Sequence, residues 1–258
     1  MTVDSVLQVA QLRKRFGGIT AVDDVEFELG AGQLLAIIGP NGAGKSTCFN
    51  MIGGQIRADT GQVRFLGQEI LGLPPRAIWR RGVGRTFQVA ATFGSMTVIE
   101  NVQVTLLSYH GEALRIGRRA GRRYRDEAAA LLERVGMADQ AERSCGVLAY
   151  GDVKRVELAM ALANAPRLLL MDEPTAGMAP RERVGLMALT VDLVRDLGVS
   201  VLFTEHDMDV VFGHADRVVV LDRGTKLAEG TPEEVRADAR VREIYLGGGS
   251  QTGQEAQS

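Results

Sequence analysis

Four short runs of the chain are apolar without interruption: LLAII at 34–38, LLLM at 168–171, VLF at 201–203 and VVVL at 218–221. A half-exposed strand would alternate, so these runs predict strands buried on both faces, as in a parallel sheet covered by helices. Upstream, LQVAQLRKRF and VDDVEFEL alternate more, the pattern of half-exposed antiparallel strands. Helical patterns stand between the apolar runs, and the sum is an α/β chain with an antiparallel β region beside a parallel core.

Residues from about 89 to 150 follow a different rule, helical throughout with no strong strand. Thr97 and Glu100 form a T-x-x-E capping box that opens VIENVQVTLLSY. A second helix, expected over roughly 118–135, puts Tyr124, Ala128, Leu131, Leu132 and Val135 on one stripe. The segment is therefore expected to be a helical subdomain inserted in one domain spanning 1–246. Arg115, Arg118, Arg119, Arg122, Arg123 and Arg125 crowd the start of that helix. A solvated face is one reading of them, and lipid headgroups or a partner's acidic loop another. Thr231 to Glu234 read as a further capping box with proline at the first helical position. The polar tail 247–258, GGGSQTGQEAQS, is expected to be disordered.

Composition narrows the partners. A net charge of −2 over 258 residues gives no general argument for nucleic acid. Cys48 and Cys145 form no CxxC pair and imply no disulfide framework, which fits a reducing compartment. The first residues lack the basic start and apolar stretch of a signal peptide, and no segment approaches 18 uncharged apolar residues. If a membrane matters, the chain is expected to meet it through a partner.

The chemistry begins at GPNGAGKST. Gly39, Pro40, Asn41, Gly42, Ala43, Gly44, Lys45, Ser46 and Thr47 follow a predicted strand and precede a helical run. This is G-x-x-x-x-G-K-[ST] in the strand–loop–helix setting that the motif requires. The glycines let backbone N–H groups turn inward around an anion, and the helix N-terminus adds its positive end. Lys45 supplies a charge for the outer phosphates and Ser46 a hydroxyl for Mg²⁺. A nucleoside triphosphate is the expected ligand.

The run 168–171 delivers Asp172 and Glu173 to a strand's carboxyl end, where open α/β sheets bind ligands. Asp172 is placed to hold the metal through water, and Glu173 is the candidate general base for an attacking water. The strand at 201–203 is followed by Thr204, Glu205, His206 and Asp207. A structural histidine is one reading of His206; contact with the γ-phosphate is the other, favoured because a second strand then ends beside the nucleotide.

Together these residues resemble the nucleotide-binding subunit of ATP-binding cassette (ABC) transporters over essentially the whole chain. The resemblance implies a P-loop NTPase core with an antiparallel β subdomain and an inserted α-helical subdomain, and ATP hydrolysis with Mg²⁺. It implies that GPNGAGKST is the Walker A loop, LLLMDE the Walker B strand and His206 the switch histidine. Gln88, in GVGRTFQ, becomes the Q-loop glutamine that touches the metal. Phe16 matches the aromatic that stacks on adenine, with a core phenylalanine as its alternative. Leu148, Ala149, Tyr150, Gly151 and Asp152 (LAYGD) occupy the signature motif, which in this family faces the ATP of a second subunit paired head to tail. FGGITAV, GVGRTFQ, SMTVIENV, LAYGD, AGM and VREIYLG look like the branched-chain amino-acid importer ATPases. Importers of urea and short amides, and lipopolysaccharide-export ATPases, resemble it too.

The implied partners are polytopic membrane permease subunits, a second ATPase subunit and, indirectly, a substrate-binding protein, on the cytoplasmic face of the cell membrane. The groove receiving the permease is expected to be lined by Gln88 and the following VAATFGSM, with Phe93 as its apolar anchor. Two departures from the family pattern stand out: Ala149 and Asp152 replace a serine and a glutamine of the signature, and Ala179 replaces the aspartate or asparagine of the D-loop. Gly151 is expected to leave room for the facing ATP, and Lys154 and Arg155 to offset the charge of Asp152. A non-transport ATPase, or a nucleotide-gated module with a weakened signature, is the competing expectation.

Overall fold

The computed structural model describes residues 5–112 and 123–247. Arg115, Arg118, Arg119 and Arg122 lie outside the described residues, as do the start of the helix expected from 118 and the tail beyond 247. In chain order the elements are β1 (Ser5–Phe16), β2 (Ile19–Gly30), β3 (Leu34–Ile38), α1 (Lys45–Ile52), β4 (Thr60–Phe65), β5 (Gln68–Glu69), α2 (Pro75–Arg80) and β6 (Val83–Thr86). The helices α3 (Val98–Tyr109), α4 (Arg125–Arg134) and α5 (Tyr150–Leu162) come next. Then come β7 (Leu168–Asp172), α6 (Pro180–Leu197), β8 (Ser200–Thr204), α7 (Met208–His214), β9 (Arg217–Asp222), β10 (Thr225–Gly230), α8 (Pro232–Ala237) and α9 (Ala239–Gly247).

Among the described residues the strands form two sheets. One is antiparallel with order β2-β1-β4-β5. The other has order β10-β9-β3-β8-β7-β6 and is parallel except for β10 at its edge. β3 shows why its sequence carries no polar residue. Leu35 and Ile37 pack with the antiparallel sheet and α1, while Leu34, Ala36 and Ile38 face a second core with the helices. Both faces are dry, so alternation would bury polar groups unpaired.

The helical part is set by the predicted devices. Glu100 N–H donates to Thr97 Oγ1 at 3.3 Å and Thr97 N–H to Glu100 Oε2 at 2.8 Å, closing the box that opens α3. Thr231 and Glu234 repeat the arrangement at α8. α4 is shorter than the expected helix, because Tyr124 takes a left-handed φ of 55° as its N-cap and Val135 is its C-cap. The stripe itself stands: Ala128, Leu132 and Val135 are fully buried, with Tyr124 and Leu131 packed against them. Arg123 and Arg125 pair with Glu112 and Glu142 at the surface, as on a solvated face.

Candidate active site

The loop 39–47 joins β3, central in its sheet, to α1. Gly39 (φ 152°) and Gly44 (φ 98°) need their missing Cβ atoms: one would collide with the Leu221 carbonyl, the other with that of Ala21. The curl buries Lys45, whose Nζ donates to the carbonyls of Gly39 (2.7 Å) and Pro40 (3.0 Å). Burial lowers its pKa, and the more distant charges of Glu173 and Asp172 counter that. A cavity of about 320 Å³ opens over the loop, lined by Asn41 to Thr47 with Phe16, Ala21, Glu173 and His206. Phe16 is half exposed, its ring covered by the Lys14 ammonium at 5.3 Å, and so is not a core residue. It lines the cavity over the loop.

On the opposite wall, β7 ends at Asp172 and the chain turns sharply. Glu173 takes a left-handed φ of 45°, held by its N–H donating to the Thr204 carbonyl (3.1 Å) and hydroxyl (3.0 Å). That turn sends its carboxylate into the cavity. There Gln88 Nε2 donates to Glu173 Oε2 at 2.8 Å, and His206 Nε2 lies 2.8 Å from Oε1. His206 is thus an exposed wall residue and not a packed one. Asp172 stands behind, its Oδ1 accepting from Thr204 Oγ1 at 2.8 Å. Among the described residues no group of three or more His, Cys, Asp or Glu forms a metal cage. A divalent cation here would take oxygen from Ser46, Asp172 and the Gln88 amide, and would need phosphate oxygens as well, which is the habit of Mg²⁺.

Residues 148–152 are not brought to this cavity. Ala149 is the N-cap of α5 and its side chain makes no cap hydrogen bond to the first-turn N–H groups. Two expectations about this motif change. A Cβ on Gly151 would first meet Glu182 Oε1 of the same chain, at 3.0 Å, so the space beside the glycine is already narrowed within the subunit. Nor, among the described residues, do Lys154 and Arg155 form an ion pair with Asp152: Lys154 Nζ is buried against the carbonyls of Phe87 (2.5 Å) and Gln88 (2.9 Å), and Arg155 Nη1 donates to Val135 O.

Those contacts belong to a clamp that sequence reasoning missed. Glu157 pairs with Lys154 at 3.3 Å and accepts from Phe87 N–H at 2.8 Å, while Tyr150 Oη donates to the Gln88 carbonyl at 3.2 Å. Burial raises the Glu157 pKa, and Lys154 opposes the shift. α5 thereby carries the backbone of Gln88. The available signal was a Lys and a Glu three apart among buried Val156, Leu158 and Ala159. Glu205 was missed also; it is buried and accepts from Thr175 N–H and Oγ1 and from His206 N–H.

A second cavity, of about 410 Å³, lies between the sheet side (Trp79, Val83, Arg85) and the helices (Val104, Ser108, Met160). Of 88–96 only Ala91 lines it, beside Phe87. Phe93 does not. Its N–H and carbonyl are bound by Asn101, and its ring is exposed.

Comparison with known proteins agrees with this geometry. The ABC transporter family profile matches residues 22–176, and that of the branched-chain amino acid ATP-binding cassette transporter matches 225–250. The high-affinity branched-chain amino acid transport ATP-binding protein BraF of Pseudomonas aeruginosa is 41% identical over 94% of this chain and 98% of its own. A nucleotide-free ATP-binding cassette from an ABC transporter superposes with a TM-score of 0.84 at 31% identity, covering 93% of this chain and 98% of that one. A dimeric cassette in a post-hydrolysis state, bound to ADP and Pi, superposes at 0.75 with 26% identity over 88% of this chain and 98% of its own.

Proposed function

The chain belongs to the ABC transporter family, and from that premise we propose that it is the ATP-binding and hydrolysing subunit of an importer for branched-chain or other hydrophobic amino acids. The observation that carries this reading is the carboxylate of Glu173, held over the phosphate loop between Gln88 and His206. Phe16 stacks on the adenine. The backbone of 39–44 and Lys45 cradle the phosphates. Glu173 acts as general base on the attacking water, its two oxygens aimed by the glutamine and the histidine. Mg²⁺, when bound, supplies charge stabilisation to the phosphates; Ser46, Gln88 and Asp172 are the residues that hold it.

Residues 148–152 act on the nucleotide of a second subunit, self or sibling, whose cavity they cap. This fits their distance from the chain's own cavity and the dimeric state of the post-hydrolysis relative. The groove by Trp79 and Phe87 is where the permease docks. No helix among the described residues is long and apolar enough to cross a membrane. The permease holds the subunit at the cytoplasmic face.

Purification of the tagged full chain from its native membranes tests this, followed by uptake in proteoliposomes. A polytopic membrane protein should come with it, and the complex should take up leucine with ATP. Uptake of urea or short amides but not of leucine would sink the substrate assignment. A wild-type complex that hydrolyses ATP no faster than its Glu173→Gln form would favour a nucleotide-gated module.

A further inference from the structure

Arg85 lies on β6 and has no part in the mechanism above. Its side chain is only 11% exposed. The guanidinium sits between two rings, 5.0 Å from that of Phe49 on α1 and 5.2 Å from that of Phe87. Nη2 donates to Asn50 Oδ1 at 2.7 Å and Nη1 to Gln55 Oε1, while Nε is buried without a partner. Gly53 makes the room, since a Cβ there would collide with Nη1. Two rings beside it and two side-chain acceptors suit a guanidinium fork, which the point charge of a lysine would not satisfy.

Among the described residues Asp172 is the carboxylate within ion-pair range, its Oδ2 3.8 Å from Nη2. The pairing comes from the sheet, because β6 and β7 are parallel neighbours and Arg85 lies opposite Leu170, two residues before Asp172. Thr204 holds the other oxygen. The carboxylate is therefore fixed from two sides, by a hydroxyl and by a buried charge. Burial lowers the Arg85 pKa and Asp172 restores part of it.

Resting on the assignment of Asp172 to the divalent cation, we propose that Arg85 is a positioning residue that fixes the Asp172 carboxylate and tempers its pull on that cation. A fixed positive charge beside a carboxylate reduces the field a second cation feels there, and the same contact stops the carboxylate from swinging. Removing the charge should then tighten metal binding while slowing hydrolysis, whereas a merely structural loss would weaken both.

The test uses the purified full chain with a non-hydrolysable ATP analogue, titrating Mn²⁺ by electron paramagnetic resonance. Arg85→Met should bind Mn²⁺ about three- to tenfold more tightly, the scale of one nearby unit charge in a partly screened site. Analogue affinity without metal should stay within about threefold, and hydrolysis at saturating Mg-ATP should fall at least about tenfold. Arg85→Lys keeps the charge without the fork, so its Mn²⁺ affinity should match wild type while kcat still falls at unchanged KM. Unchanged or weaker Mn²⁺ binding by Arg85→Met overturns the proposal. If Arg85→Met does not fold, Arg85→Lys decides, and an unchanged kcat or an equal rise in KM overturns it. Asp172→Asn measured alongside separates the failures: should it bind Mn²⁺ as tightly as wild type, the assignment of Asp172 to the cation falls, whereas weaker binding there with unchanged binding in Arg85→Met overturns the role of Arg85 alone.

Discussion

Lys45 and Lys154 are both buried, at 5% and 2% exposure, in two regions built on opposite plans. Lys45, at the phosphate loop, has two carbonyls and, among the described residues, no carboxylate within 4 Å. Its charge is desolvated and waiting, as its lowered pKa records. Lys154, under the signature helix, has the same two carbonyls' worth of contact and Glu157 besides. One region is electrostatically incomplete until an anion arrives. The other is complete in itself, a stiff mount for a helix whose N-terminus is proposed to serve a second subunit. A ligand site and a mounting can bury the same residue type, and the partners of each lysine tell them apart.

Substitutions can break that contrast from either side. Glu173→Gln, the largest expected effect, keeps the cavity's shape and its contact with Gln88 but removes the base. Hydrolysis should fall about 10²–10⁴-fold with ATP affinity nearly unchanged. Unhydrolysed ATP should then hold a dimer-sized species, visible by light scattering. A wild-type rate would mean that another group is the base.

Lys154→Met should damage the fold where Glu173→Gln damages chemistry. It strands the Glu157 carboxylate in the core, a loss of about 3–5 kcal/mol for one partner of a buried pair. Denaturant unfolding should show it, and Lys154→Met/Glu157→Leu should recover part of that stability without regaining turnover, since only Tyr150 Oη then holds the Gln88 carbonyl. A double variant with normal turnover would mean that the clamp is packing alone.

The two regions also differ in how far they can be read from sequence. The phosphate site is written in consecutive residues: a dry strand, a glycine loop, a lysine and a helix, each acting through backbone it adjoins. The ends of β7 and β8 were legible for the same reason, because an apolar run of strand length marks its own carboxyl end, where Asp172, Glu173 and His206 stand. The clamp joins residues some 67 positions apart through side chains that look like an ordinary solvated i,i+3 pair. Its burial depends on how α5 meets β6, which no local pattern encodes. The setting of Phe93 is hidden likewise: the sequence marks it as apolar, and only Asn101, eight residues on, decides how its backbone is held.

Lys45→Ala returns to the phosphate loop with a smaller effect. Nucleotide binding should weaken by about 1.5–3 kcal/mol, the value of one hydrogen bond to a charged group. Stability without nucleotide should hardly fall, because the lost charge was desolvated and unpaired. Fluorescence titration with ATP checks the first half and thermal unfolding the second. A large loss of stability would show that Lys45, like Lys154, is part of a finished mount.

The smallest expected effect falls on the signature itself. Ala149 caps α5 with its carbonyl, which accepts from Val153 N–H at 3.1 Å. No hydrogen bond from the Ala149 side chain occupies the first-turn N–H groups, so on the proposed reading they and the helix dipole serve the phosphate of a facing subunit without the customary serine. In Ala149→Ser the new hydroxyl has two uses. It can donate to that phosphate, for about 0.5–1.5 kcal/mol, or accept from a first-turn N–H and cap the helix, for about 0.5–2 kcal/mol. The second use takes a donor away from the phosphate, so the two oppose each other in turnover but not in stability. The rate of the complete complex should then change by less than about tenfold, while the isolated subunit unfolds at slightly higher temperature. A rate increase well beyond tenfold would show that the alanine leaves the motif impaired, and that the finished mount beneath α5 presents a weakened tip.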